Sequence, residues 1–160
     1  MKNSKVVNNV VNFILIFIFI IIILSFISIK SDKAFDFIGF RVYTVLSGSM
    51  KPEINPGDIV FVTNNGKNDL SEGDIITFRE ADNIITHRIV DITKDGYITK
   101  GDNNNSIDLF TVSYENIIGR VLFHIPKIGY LIAFLSRPLV MAIEMIILAI
   151  LIVKSCIMDK

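Results

Sequence analysis

The sequence contains a single cysteine, Cys156, which excludes an internal disulfide and a CxxC metal site. It also lacks an excess of either charge, because 16 basic residues balance 16 acidic ones. No basic patch alternates with aromatic side chains, so nucleic acid is not an expected partner. Histidine is scarce as well: His87 and His124 are the two present, and without a suitably spaced third ligand they do not predict a zinc site.

Hydrophobic residues make up 51% of the chain and crowd into its two ends. Residues 10–29 carry no charge and are long enough to cross the hydrocarbon layer of about 30 Å as a helix. This predicts a transmembrane anchor at 10–29, preceded by a short tail, residues 1–9. A cleaved signal peptide is the alternative, but its apolar stretch is usually about 7 to 15 residues and a small-x-small site follows it.

A second apolar stretch, residues 137–153, interrupts its hydrophobic run with Glu144. A carboxylate near the middle of a membrane costs roughly 2.5 to 3.5 kcal/mol, which the apolar neighbours can offset. We expect a second transmembrane segment here, followed by a tail at 154–160, and an amphipathic helix on the membrane surface is the alternative. Lysines flank the first segment equally on both sides, so the charge rule leaves the orientation open.

The residues between the two apolar ends have the composition of a folded module. Runs rich in β-branched and aromatic residues alternate with turn sequences such as Asn55-Pro56-Gly57 and Lys94-Asp95-Gly96. The pattern predicts strands at Phe37–Leu46, Asp58–Thr63, Asp74–Phe78, Ile84–Ile92, Gly96–Thr99 and Ile117–Phe123. Short strands without a convincing helix indicate an all-β barrel or sandwich.

Three segments of the module carry the residue types of a nucleophile, a base and an orienting acid. They are Ser47 and Ser49 in VLSGSMKP, His87 in THRIV, and Asp102 and Asp108 in TKGDNNNSID. A serine hydroxyl becomes a good nucleophile when an imidazole takes its proton, and a carboxylate can fix the imidazole tautomer. Each segment also has an ordinary interpretation, as solvated turn serines, a histidine in a strand, and a polar loop.

The chain resembles the type I signal peptidases, in particular the subfamily shared by the endoplasmic reticulum, archaea and some spore-forming bacteria. Six blocks agree in family order and are spread over Val45–Leu131. The blocks are VLSGSMKP (45–52), GDIVFV (57–62), GDIITF (73–78), THRIV (86–90), TKGDNN (99–104) and IGRVLFHIPKIGYL (118–131).

The resemblance implies a role for each candidate. Ser49 matches the nucleophile, and His87 stands where the other bacterial subfamily uses a lysine base. Asp102 and Asp108 match two aspartates that the subfamily requires. Asp108 is expected to be the triad acid and Asp102 to support the loop, although these two roles can be exchanged. Ser47 matches a hydroxyl that, with the backbone N–H of Ser49, binds the oxyanion in bacterial relatives.

The resemblance also implies the remaining features of the protein. The catalytic domain is β-rich and is expected at 30–131, outside the cytoplasm and attached to a bacterial cell membrane, with the endoplasmic reticulum membrane as the alternative. The two transmembrane helices that flank it are predicted from the apolar runs, and the second of them is not universal in the family. The substrates are preproteins that carry signal peptides. The signal peptide is expected to pair as an extended strand with the edge of the sheet near Thr44, Val45, Leu46 and Ser47. Membrane lipid and the secretion translocon, or other membrane subunits, are the further partners, and no metal or organic cofactor is needed.

Two other functions remain as alternatives. An inactive homologue or scaffold of a secretion complex would use the same β module without chemistry. A self-cleaving repressor-type peptidase has a similar catalytic fold, but such proteins are soluble and use a lysine base, in contrast to the apolar run at 10–29 and to His87.

Overall fold

The computed structural model describes residues 13–20, 22–23, 39–64 and 69–158. The predicted tail 1–9, residues 30–38 of the predicted β domain and half of the predicted anchor 10–29 lie outside the described residues. Within that anchor, residues 13–20 and 22–23 are helical. The contacts of the chain define two compact units, residues 32–130 and residues 1–31 together with 131–160.

The described part of the first unit contains one antiparallel sheet of seven strands, in the order β1-β2-β7-β3-β4-β5-β6. The strands are β1 Phe40–Thr44, β2 Ile59–Thr63, β3 Ile75–Glu80, β4 Asn83–Thr93, β5 Gly96–Lys100, β6 Thr111–Val112 and β7 Ile117–Ile125. The prediction of a mainly β module is therefore confirmed, and each of the six predicted strands overlaps an observed one. The two-residue strand β6 was not predicted.

Apolar side chains are buried on both faces of the sheet. Neighbouring residues of a strand point to opposite faces, and Ile117 and Ile118 of β7 accordingly belong to two different buried clusters. The first cluster joins strands β3, β4, β5 and β6 through Ile76, Phe78, Ile89, Tyr97 and Val112. The second joins β2 and β7 to the segment after β1, through Met50, Ile54, Val60, Val62 and Ile118.

A buried carboxylate, Asp58, ties the start of β2 to the preceding loop, to β7 and to the turn after β7. Its Oδ2 accepts hydrogen bonds from the backbone N–H of Asn55 at 2.9 Å and pairs with His124 Nδ1 at 3.2 Å. Its Oδ1 accepts the backbone N–H of Lys127 at 3.0 Å. Burial by itself would raise the pKa of Asp58, but the N–H donors of Asn55 and Lys127, together with His124, lower it below its usual value.

Two helices follow the sheet, Ile128–Leu135 and Pro138–Met158. The predicted second membrane segment, 137–153, falls almost entirely within the longer one. Among the described residues no single helix meets the length and hydropathy criteria of a membrane span, whereas Ile128–Leu135 and Pro138–Lys154 meet them as a pair bent by 72°. The Oε2 atom of Glu144 is buried and, within the described segments, has no hydrogen-bond partner.

We predict that Asp58→Asn destabilises the β unit by roughly 1 to 3 kcal/mol at neutral pH, because an amide satisfies the buried N–H donors less well than a carboxylate. The lowered pKa of Asp58 means that its contribution is complete above the pKa of the unfolded chain and is lost as the pH falls through the folded value. The difference between wild type and variant in free energy of unfolding should therefore be largest near neutral pH and should shrink as the pH falls below the ordinary pKa of a carboxyl group.

Denaturant unfolding of the full chain in detergent at several pH values measures this difference. Asp95→Asn, in the exposed turn between β4 and β5, is the matched control and should leave the free energy of unfolding nearly unchanged. An Asp58→Asn deficit that stays constant over the whole acid range would contradict the assignment.

Candidate active site

The two candidate serines lie in a loop that begins where the β1–β2 pairing ends. Thr44 is the last β1 residue and pairs with Ile59. One step further, the backbone N–H of Val45 donates to Asp58 O and the N–H of Gly57 donates to Val45 O, both at 2.8 Å. These bonds hold the two ends of the loop together, so residues 46–56 form a compact loop at the edge of the sheet.

The loop is anchored by two buried side chains that follow Ser49. Met50 and Ile54 are each 1% exposed and belong to the second cluster. The backbone N–H of Ile54 donates to Met50 O at 2.9 Å, which makes a tight turn. Because Met50 is fixed in the core, the position of the preceding residue, Ser49, is fixed as well.

The hydroxyl groups of the two serines meet at the surface of this loop. Ser47 Oγ and Ser49 Oγ are 3.3 Å apart, within hydrogen-bond distance. Ser47 is exposed and Ser49 is half-buried, so both hydroxyls can be reached by a bound molecule. Leu46, just before them, is 88% exposed.

The base candidate, His87, lies in the middle of β4 and is buried. Its Nδ1 is 2.7 Å from Asp108 Oδ2, and the two side chains are only 8% and 9% exposed. Since an ionised carboxylate can only accept, Nδ1 carries the proton in the neutral imidazole and Nε2 is left as the acceptor. This is the tautomer that a general base needs in order to take a hydroxyl proton.

Asp108 is itself held in place by Thr99 of β5. The Thr99 hydroxyl donates to Asp108 Oδ2 at 2.6 Å, and the Asp108 N–H donates to Thr99 O at 2.9 Å. Thr99 is fully buried. The sequence interpretation gave this residue no role in the site, although its place in the alternating run Gly96–Lys100 is the signal that would have put it on the same buried face as Tyr97.

The loop after β5 brings the nucleophile candidate to the strand that carries the base. The N–H of Asn103 donates to Ser49 O at 2.7 Å. A Cβ atom at Gly101 would lie 2.7 Å from the same oxygen, so only glycine permits this approach. The pairing of Arg88 with Lys100 brings Gly101 alongside His87. No hydrogen bond joins Ser49 to His87 in the described segments.

Asp102, the other candidate acid, binds Arg88 and not His87. Its Oδ1 accepts from Arg88 Nε at 2.9 Å, and its Oδ2 accepts from Nη2 at 2.7 Å. Hydrogen bonding to Asp102 raises the pKa of Arg88 above its ordinary value, although partial burial opposes the shift. Of the two arrangements that the sequence leaves open, the geometry pairs Asp108 with the imidazole.

Across residues 13–20, 22–23, 39–64 and 69–158, no group of three His, Cys, Asp or Glu side chains is arranged to hold a metal ion. The polar groups of the candidate site are instead the hydroxyls of Ser47 and Ser49 and an imidazole paired with a carboxylate. Such a set can move a proton and stabilise developing negative charge, which are the requirements of acyl transfer by a serine.

Comparison with known proteins identifies relatives of this chain. The family model described as "Peptidase S24-like" matches residues 39–122. Signal peptidase I W of Bacillus subtilis is 39% identical over 120 residues, covering 71% of this chain and 63% of the relative. The signal peptidase complex catalytic subunit SEC11 of Leptosphaeria maculans is 30% identical over 152 residues, covering 86% of this chain and 84% of the relative.

The chain therefore belongs to the S24-like peptidase family, and the two relatives it matches are named signal peptidase I and a signal peptidase catalytic subunit. The resemblance expected from the six sequence blocks is confirmed. The matched region of the family model spans the whole described sheet except the last residues of β7 and includes Ser47, Ser49, His87, Asp102 and Asp108.

We predict that Asp108→Asn lowers kcat for peptide hydrolysis by roughly 10³- to 10⁴-fold, because an amide can donate to Nδ1 and so favours the wrong tautomer. The measurement is steady-state hydrolysis by the full chain, with the melting temperature as a check on folding. Asp95→Asn serves as the control of equal charge change. Full activity of a folded Asp108→Asn protein would exclude Asp108 as the partner of a catalytic imidazole.

Proposed function

We propose that Ser49, His87 and Asp108 carry out the reaction of this chain, a serine endopeptidase of the signal peptidase type that removes signal peptides from preproteins. The observation that carries the assignment is the buried hydrogen bond between His87 Nδ1 and Asp108 Oδ2 at 2.7 Å. The imidazole of His87 is buried, its tautomer is fixed, and its strand lies next to the loop that binds the backbone of Ser49. These properties suit a general base.

In the reaction, Nε2 of His87 takes the proton of the Ser49 hydroxyl as Oγ attacks the carbonyl carbon of the scissile bond. The imidazolium, stabilised by Asp108, then gives this proton to the leaving amine, which departs as the new N-terminus of the mature protein. The signal peptide remains as an ester on Ser49. Water, deprotonated by the same imidazole, attacks the ester; the imidazolium then returns the proton to Ser49 Oγ as the signal peptide departs with a free carboxylate.

Ser47 stabilises the oxyanion that forms during each attack. Its hydroxyl lies 3.3 Å from Ser49 Oγ, so it is close to the carbonyl oxygen of a substrate that Ser49 attacks. The backbone N–H of Ser49 is the second donor. A neutral hydroxyl at this place stabilises negative charge without competing with His87 for the proton of Ser49.

The substrate pairs as an extended strand beside Thr44–Ser47. Strand β1 is an outer strand of the described sheet, and the chain continues from it directly to Ser47. An added strand would gain main-chain hydrogen bonds, and it would present alternate side chains to the enzyme. Small pockets there select small residues at the first and third positions before the cut.

Membrane attachment completes the proposal. Residues 10–29 and 137–153 act as transmembrane helices, with 1–9 and 154–160 as cytoplasmic tails and 30–131 as the extracytoplasmic catalytic domain. The setting is a bacterial cell membrane, with the endoplasmic reticulum membrane as the alternative. Confining enzyme and preprotein to one membrane surface raises their effective concentration and limits their approach. Secretion translocon or other membrane subunits are further candidate partners.

The orientation predicts that protease added outside sealed cells or spheroplasts reaches residues 30–131 and leaves both tails intact. Epitope tags at the two termini, read on immunoblots, report which fragments survive. Protected fragments that contain the catalytic domain would contradict the proposed topology.

The peptidase activity predicts that purified full-length protein in liposomes cleaves a model preprotein after a small residue. Ser49→Ala and His87→Ala should each lose on the order of 10⁴-fold or more, because they remove the nucleophile and its base. Ser47→Ala should lose roughly 10²- to 10³-fold in kcat, as expected for one oxyanion donor. Cleavage is followed by gel shift and by mass spectrometry of the new N-terminus.

Ser71→Ala, at an exposed position remote from this loop in sequence, is the control and should cut at the wild-type rate. Equal cutting by wild type and Ser49→Ala would point to a contaminating peptidase and defeat the proposal. A folded wild type that cuts no preprotein, even with translocon components present, would favour the inactive scaffold.

A further inference from the structure

Arg88 makes three hydrogen bonds, none of them to the imidazole or to the serines. Its Nε and Nη2 bind the two oxygens of Asp102 in a forked arrangement, at 2.9 and 2.7 Å. Its Nη1 donates to the carbonyl oxygen of Gly73 at 2.8 Å. A planar guanidinium with both prongs on one carboxylate and a third bond to the main chain holds its partner in one orientation.

The residue that Arg88 holds lies between the two residues that touch Ser49. Gly101 approaches Ser49 O so closely that no side chain fits, and the N–H of Asn103 donates to the same oxygen. Asp102 is the residue between them. Any rotation of the backbone at Asp102 therefore moves at least one of the two groups that fix the serine carbonyl.

We propose that Arg88 is a positioning residue for the nucleophile, acting on Ser49 through Asp102 and the backbone of Gly101 and Asn103. The inference rests on the proposed function, because it assigns a purpose to the position of Ser49. Arg88 follows His87 in β4, and successive side chains of a strand point to opposite faces. The adjacent residues His87 and Arg88 thus lie on opposite faces of β4. His87 supplies the base on one face, and Arg88 restrains the nucleophile from the opposite face.

A direct substrate contact is the competing explanation. Arg88 lines an open cavity together with Pro52, Glu53, Val90 and Lys100, where a substrate side chain can be held. The two explanations differ in kinetics. Loss of a contact made equally in ground and transition states raises KM, whereas a displaced nucleophile lowers kcat.

The test uses full-length protein in liposomes with a model preprotein, and compares Arg88→Met, Asp102→Asn and the double variant. Each single variant should lose about 100-fold in kcat, the effect of a displacement of about 1 Å, with KM changed by less than about threefold. The double variant should be no slower than the slower single variant, because both changes break one link. Arg120→Met, which removes a more exposed and looser ion pair with Asp74, should stay within about twofold of wild type.

Hydrogen exchange gives a second readout that does not depend on activity. In wild type, the amide of Asn103 is protected by Ser49 O, and in Arg88→Met it should exchange at least about tenfold faster, as a local opening. The amides that pair β4 with β5 should keep their wild-type rates. Melting temperatures show which variants fold, and Asp102→Asn carries the test where Arg88→Met does not fold.

A loss that falls on KM, a double variant in which the two losses multiply, or unchanged exchange at Asn103 would each overturn the proposal. Failure of the proposed function looks different: wild type would not cleave, or Ser49→Ala would cleave equally. In that case the exchange measurement still decides whether Arg88 holds the segment that grips Ser49.

Discussion

The hydrogen bond from the backbone N–H of Asn103 to the carbonyl oxygen of Ser49 connects the two halves of the candidate site. Ser49 belongs to the loop between β1 and β2, whereas the acid and its supporting threonine belong to β5 and the loop that follows it. The bond fixes the main chain of the serine and leaves its hydroxyl facing Ser47. Ser49, the candidate nucleophile, is thus held by its backbone and by the burial of Met50, and its half-buried side chain lies next to Ser47.

The sheet supplies the rigid support that such a site requires. Burial on both faces fixes the register of β3, β4 and β7, because a slip of one residue would exchange the two clusters. The register in turn sets Thr99 against Ile89 and directs His87 to the same face. Asp58 lies where the loop 46–56, which carries both serines, rejoins the sheet. Its carboxylate connects this loop to the last strand and to the turn before the Ile128–Leu135 helix.

The sequence allows the six longer strands to be predicted because β-branched and aromatic residues fill them and turn residues separate them. It does not predict β6, since two residues are too short to show a period. The candidate residues are recognisable from their motifs, but the pairing of the aspartates is not, because both lie in one polar loop. The choice depends on strand register and on Thr99 and Arg88, whose side chains act through contacts between residues far apart in sequence.

Ser49 is held by a main-chain N–H and by the close approach of a glycine that has no side chain. These two contacts limit how the sequence and the length of the loop can vary. The side chain of residue 103 contributes nothing to that bond, so any residue except proline can occupy the position. The length of the loop is far less free, because it has to deliver Asp102 to one face of β4 and Asp108 to the other. Relatives that keep this arrangement should therefore preserve the number of residues between the two aspartates. An insertion or deletion between the two aspartates would mark a chain in which the residue equivalent to Asp108 no longer reaches the histidine.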